Sequence, residues 1–462
     1  MPLIKSISGI RGTIGGIAEQ NLTPIDIVKF TAAYATVLQK KNQENSKRLR
    51  VVIGRDARVS GEIVSSLVSR TLMSMGVDVI DTGLSTTPTV EMEVVAQQAN
   101  GGIIITASHN PFQWNALKLL NEKGEFFSEE DGKLVLQLAD NQNFTFAQVE
   151  DLGNYTLVED AIDRHIESIL KLDLVDTEAI RQANFKVAID CVNSTGGIAI
   201  PKLLNALGVL AVHGLYCEPN GIFPHNPEPL PEHLTEISNY IEQNKIDVGF
   251  VVDPDVDRLA IVKENGEMFG EEYTLVAVAD YVLQHKAGNT VSNLSSTQAL
   301  KVVTENANGQ YFASAVGEVN VVEKMKECKA VIGGEGNGGV IYPQLHYGRD
   351  ALAGIALFLT YLAKSKMTVS QLRSRYPDFY ISKNKIELPP DADTDALFSA
   401  IKEKYKQQPI IDIDGLRIDF PTQWVQLRKS NTEPIIRIYA ESDTMEKADS
   451  LAKKIMNELV TK

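Results

Sequence analysis

Short apolar runs that stop at Gly, Ser, Asp or Asn constrain this chain more than any other feature. Leu49–Ile53 leads into Gly54-Arg55-Asp56, and Gly102–Ile105 leads into Thr106-Ala107-Ser108. The shape returns at Val187–Ile189 before Asp190, at Val248–Val252 before Asp253, and at Ala330–Ile332 before Gly333-Gly334-Glu335. Runs this short and this apolar read as buried strands, and the longer amphipathic stretches behind several of them give the βαβ rhythm of a mostly parallel sheet. Ligands of such sheets bind beyond the carboxyl ends of the strands, so these loops should line a site.

A chain of 462 residues is too long for one core, since domains hold about 100–200 residues each, and three or four units are expected. The polar stretch from Asp140 to Asn154 separates the first unit from the next, and Pro389-Pro390-Asp391 lies early in a distinct tail. That tail ends in an amphipathic helix with Ala448, Leu451, Ala452, Ile455 and Leu459 on one face, and Asp443 and Glu446 are spaced for a capping box. The formal charge of −15 argues against nucleic acid or an anionic membrane surface, both of which are held through clustered Lys and Arg. No stretch of about 18 apolar residues occurs, and Cys191, Cys217 and Cys328 have no metal-like spacing, so the expected location is a reducing cytoplasm. In so acidic a protein an anionic small substrate requires a local basic pocket.

Four loops carry candidate chemistry. Thr106-Ala107-Ser108-His109-Asn110-Pro111 presents a hydroxyl nucleophile beside an imidazole at a strand end, although Ser followed by Asn-Pro is equally a common turn. Asp253-Pro254-Asp255-Val256-Asp257-Arg258 places carboxylates at alternate positions, which in extended backbone point to one side. Carboxylates so close repel one another unless a cation joins them, and a hard divalent ion, Mg²⁺ by preference, suits oxygen ligands of this kind. Gly333-Gly334-Glu335-Gly336-Asn337-Gly338-Gly339 allows close backbone approach and offers Glu335 and Asn337 to sugar hydroxyls. Arg428-Lys429-Ser430-Asn431-Thr432-Glu433-Pro434 with Arg437 has the cations, hydroxyls and amide needed to grip a phosphate dianion.

In order and separation these four loops resemble those of the α-D-phosphohexomutase superfamily, and Gly9-Ile10-Arg11-Gly12 and Gly54-Arg55-Asp56-Ala57-Arg58-Val59-Ser60 are similar to further segments of it. The resemblance spans essentially the whole chain. It implies three related α/β mixed-sheet domains and a smaller C-terminal α+β domain around a central cleft: a phosphoserine domain at 1–155, a metal-binding domain at 156–258, a sugar-binding domain at 259–374 and a phosphate-binding domain at 375–462. It implies an intramolecular phosphotransferase that interconverts hexose 6-phosphate and hexose 1-phosphate, with glucosamine phosphate the expected substrate. A phosphoglucomutase or phosphomannomutase of the same fold and a Mg²⁺-dependent sugar phosphatase are the alternatives.

By the same resemblance Ser108 carries the phosphoryl group, and Asp253, Asp255 and Asp257 hold Mg²⁺ together with a phosphoserine oxygen. Arg258 is supporting, and His109, Lys118 and Arg11 are candidates for acid and base. Glu335 and Asn337 contact the sugar. Arg428, Ser430, Asn431, Thr432 and Arg437 grip the phosphate that is not reacting. A hexose 1,6-bisphosphate is the implied intermediate and activator, and the protein is expected to act on hexose phosphates as a monomer or homodimer. Many superfamily members have Ser where Asn337 stands, His where Gly339 stands and Gly where Ala116 stands. The Gly-Glu-Gly-Asn-Gly-Gly variant resembles an archaeal-type phosphoglucosamine mutase branch.

Overall fold

The computed structural model describes residues 3–6, 9–43, 47–387, 393–429 and 435–460. The first sheet runs in the order β1-β2-β6-β5-β3-β4-β7, from β1 (Ile4–Ser6), β2 (Gly9–Thr13), β3 (Arg50–Arg55), β4 (Asp78–Leu84), β5 (Gly101–Ile105), β6 (Trp114–Leu120) and β7 (Tyr155–Leu157). Its strands β5, β3, β4 and β7 are parallel, while β6 runs antiparallel to β5 and β2. Both faces are covered, and alternate residues of each strand go to opposite sides. Val51, Ile53, Ile103, Ile105, Leu117 and Leu119 pack with the helices Pro24–Lys41, Gly61–Ser74 and Glu129–Asp140. Val52, Ile104 and Leu120 pack with Val90 and Val94 of the helix Thr87–Ala96. That double coverage explains why the strands read as continuous apolar runs.

The second sheet has the order β11-β10-β8-β9, from β8 (Lys186–Asp190), β9 (Ala211–Leu215), β10 (Val248–Val252) and β11 (Leu259–Val262). Here β8 is parallel to β9 and β10, and β11 closes the edge antiparallel to β10. The first sheet extends through β7, past residue 155, because β7 pairs with β4. The second takes in β11, past residue 258, because the chain turns back at the acidic loop and pairs with β10.

In the next segment β12 (Thr290–Asn293) lies parallel to β13 (Tyr311–Ser314) and to β14 (Ile332–Glu335). Strand β14 starts later than the apolar run suggested and takes Gly333, Gly334 and Glu335 into itself. Gly333 has no side chain, so the Met325 sulfur lies directly against its backbone, and this apparent loop glycine is a close-packing strand position. A short strand, β15 (Gly339–Ile341), follows. The C-terminal sheet is wholly antiparallel, in the order β16-β20-β19-β18-β17, from β16 (Tyr380–Glu387), β17 (Ile410–Ile411), β18 (Leu416–Asp419), β19 (Trp424–Lys429) and β20 (Ile435–Ser442).

Helix Met445–Val460 buries Ala448, Leu451, Ala452, Ile455 and Leu459 as its spacing predicted. Its first turn is capped differently: Thr444 Oγ1 accepts from the Lys447 N–H at 3.3 Å, and Asp443 pairs instead with Lys447 Nζ at 2.7 Å. Among the described residues no helix is long and apolar enough to cross a membrane.

The chain divides into two compact units, Met1–Thr274 with Gly338–Leu372, and Leu275–Asn337 with Arg373–Lys462. In the first, helix Ala351–Ser365 is almost entirely buried, and its Phe358 meets Phe250 and Phe269 edge-on at ring separations of 6.2 and 5.4 Å. Phe358→Ala should therefore lower stability by about 3–5 kcal/mol, seen as a fall in the urea midpoint of the transition that exposes this unit.

Candidate active site

In the first unit three strand ends meet. Asp56 follows β3, Ser108 lies three residues beyond β5, and Asp253 follows β10. The Ser108 loop is held from beneath by a single buried guanidinium. Arg58 donates to the carbonyls of Ser108 at 2.5 Å, Asn110 at 2.6 Å, Pro111 at 2.7 Å and Trp114 at 3.1 Å, and to Asp56 Oδ2 at 3.0 Å. Asp56 Oδ2 also accepts from Thr106 Oγ1, which in turn accepts from the Ser108 N–H. So braced, Ser108 sits at φ +50°, a left-handed conformation that a serine does not adopt without such support, and its hydroxyl donates to Asp253 Oδ2 at 2.6 Å.

The acidic loop converges, by a different route from the one its spacing suggested. In extended backbone Asp253 and Asp257 would lie about 13 Å apart, four residues at about 3.3 Å each. Instead the chain turns: the Val256 N–H bonds the Asp253 carbonyl at 3.1 Å, Val256 takes φ +63°, and oxygens of Asp253, Asp255 and Asp257 come within 4.8 Å of one another. All three side chains are fully buried. Burial, reinforced by Asp257 and Asp255, pushes the Asp253 carboxyl well above the usual carboxylate range.

Around the trio stand the groups that compensate it. Lys118 Nζ, from β6, lies 2.7 Å from Asp255 Oδ2 and 3.4 Å from Asp257 Oδ2. Arg349 donates to Asp257 Oδ2 at 2.7 Å, and Thr87 Oγ1 to Asp255 Oδ2 at 2.6 Å. Ser194 and Thr195 hydroxyls donate to the Pro254 carbonyl at 2.7 and 2.9 Å. Burial alone would raise Asp255 and lower Lys118, yet their mutual attraction wins, so Asp255 is held below its ordinary value and Lys118 above its own. In this arrangement Lys118 is therefore held in its charged form. Among the described residues Asp255 Oδ1 and Asp257 Oδ1 are buried without a hydrogen-bond partner, which is the condition of carboxylates arranged to coordinate a hard cation.

His109 places Nδ1 3.3 Å from Ser108 Oγ. Burial first, then the positive field of Arg258, lowers its pKa well below the ordinary value, which leaves a neutral ring able to accept a proton. Arg11 lies on β2 opposite Ala116 of β6 and adds to the same field, and Ala116 is itself buried without disturbing the pairing. The Arg258 N–H donates to Asp253 Oδ1 at 3.2 Å, and its guanidinium lies 3.6 Å from Glu228.

Behind the trio lies a second buried cluster that the sequence reading missed. Asp350 Oδ2 meets His165 Nε2 at 2.9 Å and His346 Nε2 at 3.2 Å, while Thr89 lies 2.9 Å from His165 Nδ1 and Glu91 3.4 Å from His346 Nδ1. Asp350 also caps helix Ala351–Ser365 through the N–H groups of Leu352 and Ala353. The cluster thus ties helix Thr87–Ala96, which supplies Thr87, to the residue next to Arg349. Such a role was legible only as a cap, in Gly348-Arg349-Asp350 ahead of an apolar helix.

In the second unit Glu335 is buried and accepts from Asn293 Nδ2 at 2.8 Å and the Gly317 N–H at 3.2 Å, with Asn337 partly exposed two residues on. Arg428 on β19 and Arg437 on β20 are directly opposed in the antiparallel register, and Asp414 bonds Arg428 Nε at 3.1 Å. Ser430, Asn431 and Thr432 lie outside the described residues.

Family profiles match the chain in succession: phosphoglucomutase/phosphomannomutase α/β/α domain I over residues 4–146, domain II over 163–266, domain III over 270–379, and the C-terminal domain over 385–458. A phosphoglucomutase/phosphomannomutase of Thermococcus kodakarensis is 35% identical over 95% of both chains. A phosphoglucosamine/phosphogalactosamine mutase of Sulfurisphaera tokodaii is 32% identical over 97% of both. A crystal structure of a phosphoglucomutase/phosphomannomutase family protein from Burkholderia thailandensis shares the fold, with TM-score 0.85 and 23% identity over 99% of this chain and 98% of that one.

Two outcomes follow from the geometry. Arg58→Lys cannot reach four carbonyls at once, so stability should fall by about 1.5–3 kcal/mol, with faster amide exchange across residues 106–111. His346 is lowered by burial but raised more by Asp350 and Glu91, to about 10 from an ordinary 6.5. A raised folded-state pKa stabilises below the unfolded value. The melting-temperature margin of wild type over His346→Gln should therefore be full below pH 6.5, shrink as pH rises, and vanish near pH 10.

Proposed function

The chain belongs to the phosphoglucomutase/phosphomannomutase family, and on that premise we propose that it is a phosphohexose mutase in which Ser108 is the reusable phosphoryl carrier. The observation that carries the assignment is Ser108 Oγ held 2.6 Å from Asp253 within a buried acidic trio. Asp253, Asp255 and Asp257, with their uncompensated oxygens, would hold Mg²⁺. When bound, the ion neutralises charge on the transferring phosphoryl group.

The chain's own residues do the rest. Phospho-Ser108 passes its phosphoryl group to the free hydroxyl of a hexose monophosphate, giving a hexose 1,6-bisphosphate. After the sugar reorients, the other phosphate returns to Ser108. The Ser108–phosphate ester bond breaks as the sugar ester forms, then the reverse occurs at the other carbon, so the cycle is redox-neutral and isomerises the substrate. The attacking sugar hydroxyl loses its proton as its oxygen bonds phosphorus and Ser108 Oγ gains one as its ester breaks, the return step reversing both; we assign this proton relay to His109, 3.3 Å from Oγ, while Lys118 and Arg349 keep positive charge at the reacting centre. In the second unit we assign Glu335 and Asn337 to sugar hydroxyls and Arg428 and Arg437 to the phosphate not being transferred. Like charges directly opposed across a strand pair are unfavourable alone, and an anion between them relieves the repulsion.

Glucosamine phosphate is the preferred substrate, on the Gly-Glu-Gly-Asn-Gly-Gly loop; the relative named phosphoglucomutase/phosphomannomutase supports glucose or mannose phosphate as the second reading. With glucose 1,6-bisphosphate the intact mass should rise by one phosphoryl group in wild type and not in Ser108→Ala, which should also lose mutase turnover. Chelation should abolish turnover and Mg²⁺ restore it, while coupled assays on glucosamine, glucose and mannose phosphates rank the substrates. Full activity in Ser108→Ala is the result that would overturn the assignment.

A further inference from the structure

Cys191 follows β8 and Cys217 lies just beyond β9, the parallel neighbour, with Asp190 in register with Leu215. Their sulfurs are 3.7 Å apart. Cys191 is buried and Cys217 partly exposed, whereas Cys328 belongs to the other compact unit. The Cys191 thiol holds Cys217 below the ordinary thiol value, while burial pushes Cys191 well up, so the thiolate forms on the accessible sulfur.

The backbone at this pair is strained. Val192, Asn193 and Tyr216 take φ of +45°, +51° and +52°, a left-handed region that is especially unfavourable for β-branched Val192. The Asn193 N–H bonds the Tyr216 carbonyl at 2.7 Å, locking the two turns together. This turn runs directly into Ser194 and Thr195, whose hydroxyls hold the Pro254 carbonyl between Asp253 and Asp255. Ser194 Oγ also accepts from the Ala57 N–H at 3.3 Å, next to Arg58. Two residues, Val192 and Asn193, therefore separate Cys191 of the dithiol from Ser194, which supports both the acidic turn and the Ser108 loop.

We propose that Cys191 and Cys217 form a reversible disulfide that disables the Ser108 site by pulling the Cys191–Thr195 turn away from Pro254. The inference rests on the mutase reading only for the activity it controls. A disulfide requires sulfurs at about 2.05 Å, so bonding must draw the strained turn inward. The oxidant is a low-molecular-weight disulfide. Cys217 thiolate attacks one of its sulfurs and releases one small thiolate; Cys191 thiolate then attacks Cys217 Sγ and releases the second. Two protein thiols are oxidised, one external disulfide is reduced to two thiols, and the protons pass to those thiols.

The test equilibrates the full chain in glutathione buffers from fully reduced to fully oxidised, then follows intact mass, tryptic peptides, Mg²⁺ affinity and turnover. The expected result is a cross-link between peptides 187–202 and 203–245, with Mg²⁺ binding and turnover each weakened roughly tenfold or more, and both restored by dithiothreitol. Cys328→Ser should behave as wild type. Cys217→Ser should stay active and insensitive to oxidant, and Cys191→Ala, used where Cys217→Ser folds poorly, should do the same. Absence of the cross-link in fully oxidised buffer, or a cross-link with unchanged Mg²⁺ affinity and turnover, overturns the proposal. A cross-link that weakens Mg²⁺ binding in a protein without mutase turnover supports the switch and overturns the functional reading instead.

Discussion

Three carboxylates compressed into one buried turn are the constraint from which the first unit takes its form. Each would be costly to bury alone, and together they repel, so the surrounding elements deliver compensating groups. Strand β6 brings Lys118, the loop before helix Ala351–Ser365 brings Arg349, helix Thr87–Ala96 begins with Thr87, and the turn after β8 donates two hydroxyls to Pro254. None of these contacts is local in sequence. The acidic turn thus acts as a keystone among segments from three parts of the chain.

Rigidity at Ser108 comes from the same economy of groups. Arg58 spends its guanidinium almost wholly on backbone carbonyls of the Ser108 loop, and its charge is met by Asp56 beneath. An arginine can do this because its fork presents several donors at fixed angles. The His165–Asp350–His346 cluster performs the corresponding service on the opposite flank, where Thr87 and Arg349 need a common reference. Reaction chemistry therefore rests on a frame of buried polar bonds and not on apolar packing alone.

Much of this was legible in the sequence. The strands β3, β5, β8 and β10 and the loops they end in followed from apolar runs and breakers, and the tail helix from its period. What escaped shows where one-dimensional reasoning stops. The acidic residues were expected to converge through extended alternation, whereas the turn at Val256 does it, closed by the local Val256–Asp253 bond and held by tertiary bonds to Pro254 and Asp257 that the sequence does not reveal. Gly333 and Gly334 looked like loop and are strand; at Gly333 the signal for close packing is a neighbour, Met325, that the sequence does not place nearby. Arg349, Thr87 and the histidine cluster carry no motif of their own, and their roles exist only once distant segments meet.

Lys118 has a consequence for how such a protein comes into being. Because an ammonium already sits against Asp255 and Asp257, the acidic turn is not an unpaid debt awaiting an ion. A newly made chain can fold to completion where divalent cations are scarce, unlike small metal-folded domains that remain open until loaded.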